Sequence, residues 1–227
     1  MPVAGCQPVL EPTAAAPAGS LEIRPPRQQR SREAWRRILD AGVALLEEGG
    51  YQAFTIAAVC ERAQVPPRAV YARVATKDAL FLAVYEHGMA RIRSDQDVLE
   101  PGGRWDGRAA GDLVTGAVAE VAGIFARHAA FLRSVVLVSG VHPEIYRRGA
   151  RYSRELGDQF AALLLQPGLD IDQPDPPAAV RAAFNAVFST LVLRTAYGPA
   201  YASFAGNDDE DFLRTLTAMV RRYLLRP

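Results

Sequence analysis

Apolar residues recur along this chain at three- and four-residue intervals, and proline, glycine and short polar runs interrupt the recurrence. Trp35, Ile38, Gly42 and Leu45 fall on one helical face, with Leu39 and Leu46 widening the stripe. Ser31 is placed to cap this first helix, and Gly49-Gly50 to end it. Thr55 is a good N-cap for a second helix that buries Ile56, Val59 and Cys60. Ala63-Gln64-Val65 makes a turn. Pro66 and Pro67 then open a short third helix, at positions where a missing amide hydrogen costs little. Val70 and Val74, four apart, face the core. Thr76 caps a fourth helix, whose first-turn Asp78 suits the positive end of the helix dipole. Leu80, Phe81, Val84, Tyr85 and Gly88 give that helix its buried face, and the segment PGGRWDG beyond Glu100 reads as a loop.

Five more helices are expected: about Arg108 to Arg127, Ala129 to Ser139, Pro143 to Gln166, Pro177 to Tyr197, and Asp208 to Leu225. Gly140 before Pro143, the loop PGLDIDQPDPP, and the GPA and AGN segments separate most of them, while the boundary near His128 has the weakest signal. There is no strand pattern and no internal repeat. The expected class is all-α with about nine helices: a three-helix N-terminal domain over 27–75 and a larger helical domain over 76–227. Residues 1–26 contain six prolines and many small residues and read as a disordered tail.

Composition adds a few limits. An apolar share of 49% supports a sizeable core. The net charge is only +1, but from Arg24 to Arg93 there are twelve basic and seven acidic residues, and six of the basic ones lie between Arg24 and Arg37. A basic end on a near-neutral chain is a footprint for a polyanion. Cys6 and Cys60 lack metal spacing and give no disulfide framework, which fits a reducing compartment. No uninterrupted apolar run reaches membrane-spanning length and the N-terminus does not resemble a signal peptide, so the cytoplasm is expected.

The second, third and fourth helices form a helix-turn-helix pattern, in which the recognition helix reads base edges from near its N-terminus. The exposed positions of the third helix are Pro67, Arg68, Ala69, Ala72 and Arg73. Of these, Arg68 is the side chain near the N-terminus able to bond guanine bidentately, a pairing worth roughly 1–3 kcal/mol of discrimination. Thr55, Tyr71 and Lys77 offer a hydroxyl, a phenol and an ammonium. Thr55 and Lys77 also sit at helix starts, where backbone N–H groups favour phosphate.

The run Phe54-Thr55-Ile56, Val59-Cys60, Ala63-Gln64-Val65, Val70-Tyr71, Thr76-Lys77-Asp78 and Leu80 resembles the TetR family of bacterial transcriptional regulators. The family's usual pattern there is Thr, a buried aliphatic pair, Ala-Gly-Val, an aliphatic-Tyr pair, and Ser-Lys-Glu before Leu. The specific match covers roughly Arg30 to Tyr85. The resemblance implies phosphate contacts by Thr55, Tyr71 and Lys77. It implies base contacts by Arg68, Pro67 and their neighbours Ala69 and Arg73, and an arm formed by Arg27 and Arg30. Pro66 replaces the usual Ser or Thr cap, Arg68 stands where small residues are frequent, and Val74 replaces a common Phe.

The resemblance further implies a homodimer through the last two helices, about 177–197 and 208–225, paired as a four-helix bundle. The sequence permits it, because the 177–197 helix is apolar or small nearly all round and must then be covered on all sides. Such a dimer spaces two recognition helices by one DNA turn, roughly 34–36 Å, and reads a palindrome. A small-molecule pocket is implied within the helices after the fourth. Candidate lining residues are Phe125, His128, Phe131, Val135, Tyr146, Tyr152, Phe184, Asn185 and Phe188, which suggest an apolar or aromatic ligand. The expected function is a homodimeric repressor released from its operator by that ligand. The alternatives are an effector-independent DNA-binding protein and a ligand-dependent activator or corepressor-type regulator. An enzyme is disfavoured: GxSxG, HExxH, a phosphate loop and a metal-spaced Cys/His set are missing, and Asp170, Asp172 and Asp175 belong to a Pro-rich loop. No catalytic residue, metal site or cofactor is expected.

Overall fold

The computed structural model of the chain describes residues 29–94, 96–201 and 208–225. The proline-rich stretch 1–26 and Arg27 of the expected arm lie outside the described residues. Among the described residues there are nine α-helices and no strand.

Helix α1, Gln29–Ala53, begins two residues before the expected cap. Ser31 therefore does not cap it; its hydroxyl accepts a hydrogen bond from the Arg73 guanidinium. The expected stop is real, since Gly50 breaks the helix at φ 64°, ψ −165°, and a last turn carries Tyr51 onward. Helix α2, Ile56–Ala63, is capped by Thr55, whose Oγ1 accepts the N–H of Ala58 at 3.1 Å. It ends at Gln64 in the left-handed region, φ 52°, ψ 50°. The N–H of Val65 reaches Cys60 O at 3.0 Å and that of Gln64 reaches Glu61 O at 3.1 Å, which is a Schellman close. A side chain at that φ costs about 1 kcal/mol that glycine avoids. Gln64→Gly is thus expected to raise stability by about 1 kcal/mol, less the small entropic cost of a glycine in the unfolded chain. A higher urea midpoint with an unchanged slope is the readout.

Helix α3, Pro67–Tyr71, starts at Pro66 without a side-chain cap. Helix α4, Lys77–Ser94, starts at Thr76, whose Oγ1 accepts from the Ala79 N–H at 3.1 Å. The remaining helices are α5 Ala110–Arg127, α6 Ala129–Ser139, α7 Pro143–Leu164, α8 Pro176–Tyr197 and α9 Asp209–Leu224, each within two residues of expectation. The weak boundary at His128 is a sharp elbow, with α5 and α6 bent by 85°.

PGGRWDG is more ordered than a plain loop. It holds a 3-10 turn at Gly103–Trp105, and Trp105 is buried, its indole N–H donating to Val98 O at 2.9 Å. The ring lies over Gly116 of α5, where a Cβ would come within 2.5 Å of it. By length and mean hydropathy α8 is also long and apolar enough for a membrane span, although Arg181, Asn185 and Arg194 interrupt its apolar run. Its inner face, Val180, Phe184, Val187 and Leu191, is buried in the chain's own core, as suits a helix of a packed domain.

One continuous core runs from Ile38 to Leu224 and crosses the boundary expected at residue 75. Helix α6 packs on α1, where the buried Ser134 hydroxyl donates to Leu46 O at 2.6 Å. Phe131 of α6 fills the space left by Gly88 of α4, and His87 Nε2 lies 2.7 Å from Asp40 Oδ1 of α1. The N-terminal helices are therefore fixed to the larger helical body through α4 and α6.

Candidate nucleic-acid interface

Val59, Val70, Val74, Leu80 and Phe54 are buried together, and they set the inner sides of α2, α3 and the start of α4. What remains on the outside is fixed by that packing. Thr55, Pro67, Arg68 and Tyr71 are exposed, and Tyr71 keeps 56% of its surface. Ala69 is half-buried. The turn after α3 is short, with Ala72 N–H on Arg68 O at 3.0 Å and Val74 N–H on Val70 O at 3.1 Å. Arg68 thus stands at the front of a rigid helical turn. Arg30 is exposed in the first turn of α1.

Two predicted residues have partners that the sequence did not announce. Arg73 is half-buried and its guanidinium is tied to Ser31 of α1, so it anchors the end of α3. Lys77 carries its ammonium 4.2 Å from the centroid of the Tyr51 ring. Tyr51 directs its hydroxyl toward Asp78 at 3.5 Å, and burial, then the Asp78 charge, raise its pKa above the ordinary phenol value. Lys77 is thus aimed by an aromatic perch at the N-terminus of α4. Tyr51 lies just past the Gly49-Gly50 break, outside the periodic stripe, which is why periodicity did not mark it. The pair Arg62–Glu48, with both nitrogens at 2.6 Å, fastens α2 to α1 in the open.

The surface so assembled has two hydroxyl-capped helix starts, at Thr55 and Thr76, flanking a helix that presents a guanidinium. A threonine hydroxyl that accepts from its own helix still has a proton to donate. Phosphate oxygens suit such donors, and a guanine edge suits Arg68.

In the larger body, the structure does not bring the nine pocket candidates to one chamber. Phe125, Phe131, Val135, Tyr152 and Phe184 are buried, and Phe188 and His128 are half-buried. Tyr146, 65% exposed, and Asn185 are on the outer surface, because they fall on the faces of α7 and α8 opposite the core. The rings of Phe125, Phe188, Phe184 and Phe160 pack in a ladder at 5.4, 5.5 and 5.6 Å, filling space with their own edges. A hollow of about 480 Å³ lies elsewhere, between the α5–α6 elbow and α8–α9, and of the nine only Phe125 lines it.

Residues 38–84 match the model for bacterial regulatory proteins of the tetR family. The A-factor receptor protein of Streptomyces griseus is 28% identical over 71 residues, which is 31% of this chain and 26% of that protein, so the match spans about a quarter of the relative's length. A TetR transcription regulator from Haloarcula marismortui superposes with a TM-score of 0.64 at 16% identity, over 86% of this chain and 97% of that one. A transcriptional regulator from Rhodococcus sp. does so with a TM-score of 0.63 at 16% identity, over 83% and 94%. At those identities the superpositions establish the fold. With the N-terminal motif matched over residues 38–84 and an all-helical architecture throughout the described residues, the chain carries the N-terminal domain of the tetR family of bacterial regulatory proteins on a TetR-like fold.

Proposed function

We propose that the chain is a cytoplasmic, homodimeric repressor that residues 27–75 seat on a palindromic operator and that residues 76–227 dimerise and make responsive to a small molecule. The observation that carries the DNA-reading half is the exposed Arg68 at the front of α3, flanked by the capped starts at Thr55 and Thr76. Thr55, Tyr71 and Lys77 take phosphates; Arg68, with Pro67 and Ala69 beside it, faces bases; Arg27 and Arg30 form the arm. Arg73 acts by holding α3 to α1 through Ser31.

Dimerisation is supported by the outer face of α8 and α9. Leu193, Tyr197, Met219 and Tyr223 are exposed there at 47%, 54%, 63% and 44%, next to the exposed Ala178, Ala182 and Ala186. Small residues let a second pair of helices approach closely, and large apolar ones make the approach favourable. A ligand-receiving role is supported by the name of the Streptomyces griseus relative, a receptor for A-factor. An effector shifts such a regulator only by its differential affinity for the two states, whichever sign that takes.

Selection of bound sequences from a random duplex library tests the reading. An enriched palindrome is expected, and no enrichment from a folded dimer overturns it. With that operator in hand, Lys77→Ala is expected to weaken all sequences about equally, by roughly tenfold, and to flatten the salt dependence by about one unit of slope. Arg68→Ala is expected to relax preference at one base pair per half-site, at a cost of roughly 1–3 kcal/mol. Equal weakening of every sequence by Arg68→Ala would make it a phosphate contact.

A further inference from the structure

The hollow beside the elbow has the chemistry of a binding site. Its walls on α5 and α6 are stripped to small residues, with Ala122, Gly123, Ala126, Ala129 and Ala130, so the concavity is written into the sequence. Leu191 of α8 and Phe212 of α9 form an apolar floor. Its polar edge is unbalanced. Asp209 is engaged by Arg194 at 2.6 Å, and that guanidinium is fixed 4.2 Å from the centroid of the Phe212 ring. Arg133 on the opposite edge is exposed and has no ion pair among the described residues. The edge therefore holds more cationic than anionic groups over an apolar basin, and a volume of about 480 Å³ is in the range of small-molecule sites.

We propose that this hollow binds an amphipathic monoanion, an acyl or aryl carboxylate, with its head on Arg133 and its apolar body across Ala126, Leu191 and Phe212. As the effector site, it rests on the ligand-released regulator proposed above. The route to DNA is short. The hollow is lined from both sides of the 85° bend between α5 and α6, by Ala122, Gly123 and Ala126 of α5 and by Ala129, Ala130 and Arg133 of α6. The same α6 places Phe131 under Gly88 of α4 and Ser134 on Leu46 O of α1. A ligand wedged under the elbow moves α6 against both helices that carry the DNA-reading surface.

Anilinonaphthalene sulfonate, titrated into the full chain, gives a fluorescent probe of the site, and decanoate and decanol serve as charged and uncharged competitors. Decanoate is expected to displace the probe at least tenfold more effectively than decanol. Arg133→Gln is expected to remove that tenfold advantage while leaving decanol unchanged, and Ala126→Trp to block both; both residues are exposed, and circular dichroism confirms folding. Equal displacement by the two competitors, or an Arg133→Gln variant that still prefers decanoate, overturns the proposal. So does an Ala126→Trp variant that weakens self-association but keeps the probe, since a second copy then covers the hollow. Operator binding, measured separately, divides the two readings. Arg133-dependent decanoate binding without any change in operator affinity upholds the site and defeats ligand release. No decanoate binding with an intact operator complex defeats the site alone.

Discussion

A Leu193→Glu, Met219→Glu double variant is expected to run as a monomer and to bind the proposed palindromic operator at least about 100-fold more weakly than the parent. Both side chains project from the folded chain, with 47% and 63% of their surface exposed, on helices whose other faces are buried. The core does not need them, so the variant keeps its helical spectrum. A proposed twofold interface buries each substitution twice, and four carboxylates in an apolar four-helix contact cost several kcal/mol. The loss on DNA follows from linkage. Two joined reading heads bind the second half-site as an intramolecular event, an advantage on the order of 10²–10⁴ that vanishes when the joint opens. Sedimentation equilibrium and operator titration read the two effects. A variant that remains dimeric places the joint on another face; a monomer with undiminished operator affinity removes the need for two heads.

The helix boundaries and the helix-turn-helix were readable because they rest on local chemistry: a Thr that caps, a Pro at a first turn, a Gly that stops. The elbow at His128 left almost no mark, since it has neither Pro nor Gly and the apolar pattern continues through it. Trp105 reads as part of a loop in the sequence because its burial depends on Gly116, eleven residues on, and on Val98 behind it. The aromatic residues after α4 were recognised as interior in kind but not sorted. On a helix apolar all round, periodicity cannot say that Phe184 faces α7 while Asn185 and Ser189 face out. Nor could it find the hollow, whose signature is alanine on α5 and α6 opposite residues some seventy positions later. Lys77 was named from its position at a helix start, but the Tyr51 ring that aims it comes from the far side of a glycine kink.

Gly88→Ala is expected to destabilise the protein by about 2 kcal/mol, against the usual sign for that change. Inside a helix, alanine gains roughly 1 kcal/mol over glycine. Here the added Cβ would stand 2.2, 2.6 and 2.7 Å from three atoms of the Phe131 ring, which is itself 2% exposed. A flat ring enclosed on all sides cannot rotate out of the way, so the clash takes the upper end of the overpacking range, about 3 kcal/mol, and wins. For a chain of this size the melting temperature falls by roughly 4–8 °C. Phe131→Leu alone leaves a cavity and costs about 1–2 kcal/mol, but combined with Gly88→Ala the smaller side chain makes room for the methyl group. The double variant is expected to be more stable than the sum of the singles predicts, with a coupling of about 1 kcal/mol or more in a double-mutant cycle. Additive effects would mean that α4 slides past α6 at no cost. The elbow would then have lost its grip on α4, and a ligand's effect would have to travel through the packing of α6 on α1, with the Ser134 bond to Leu46 O within it.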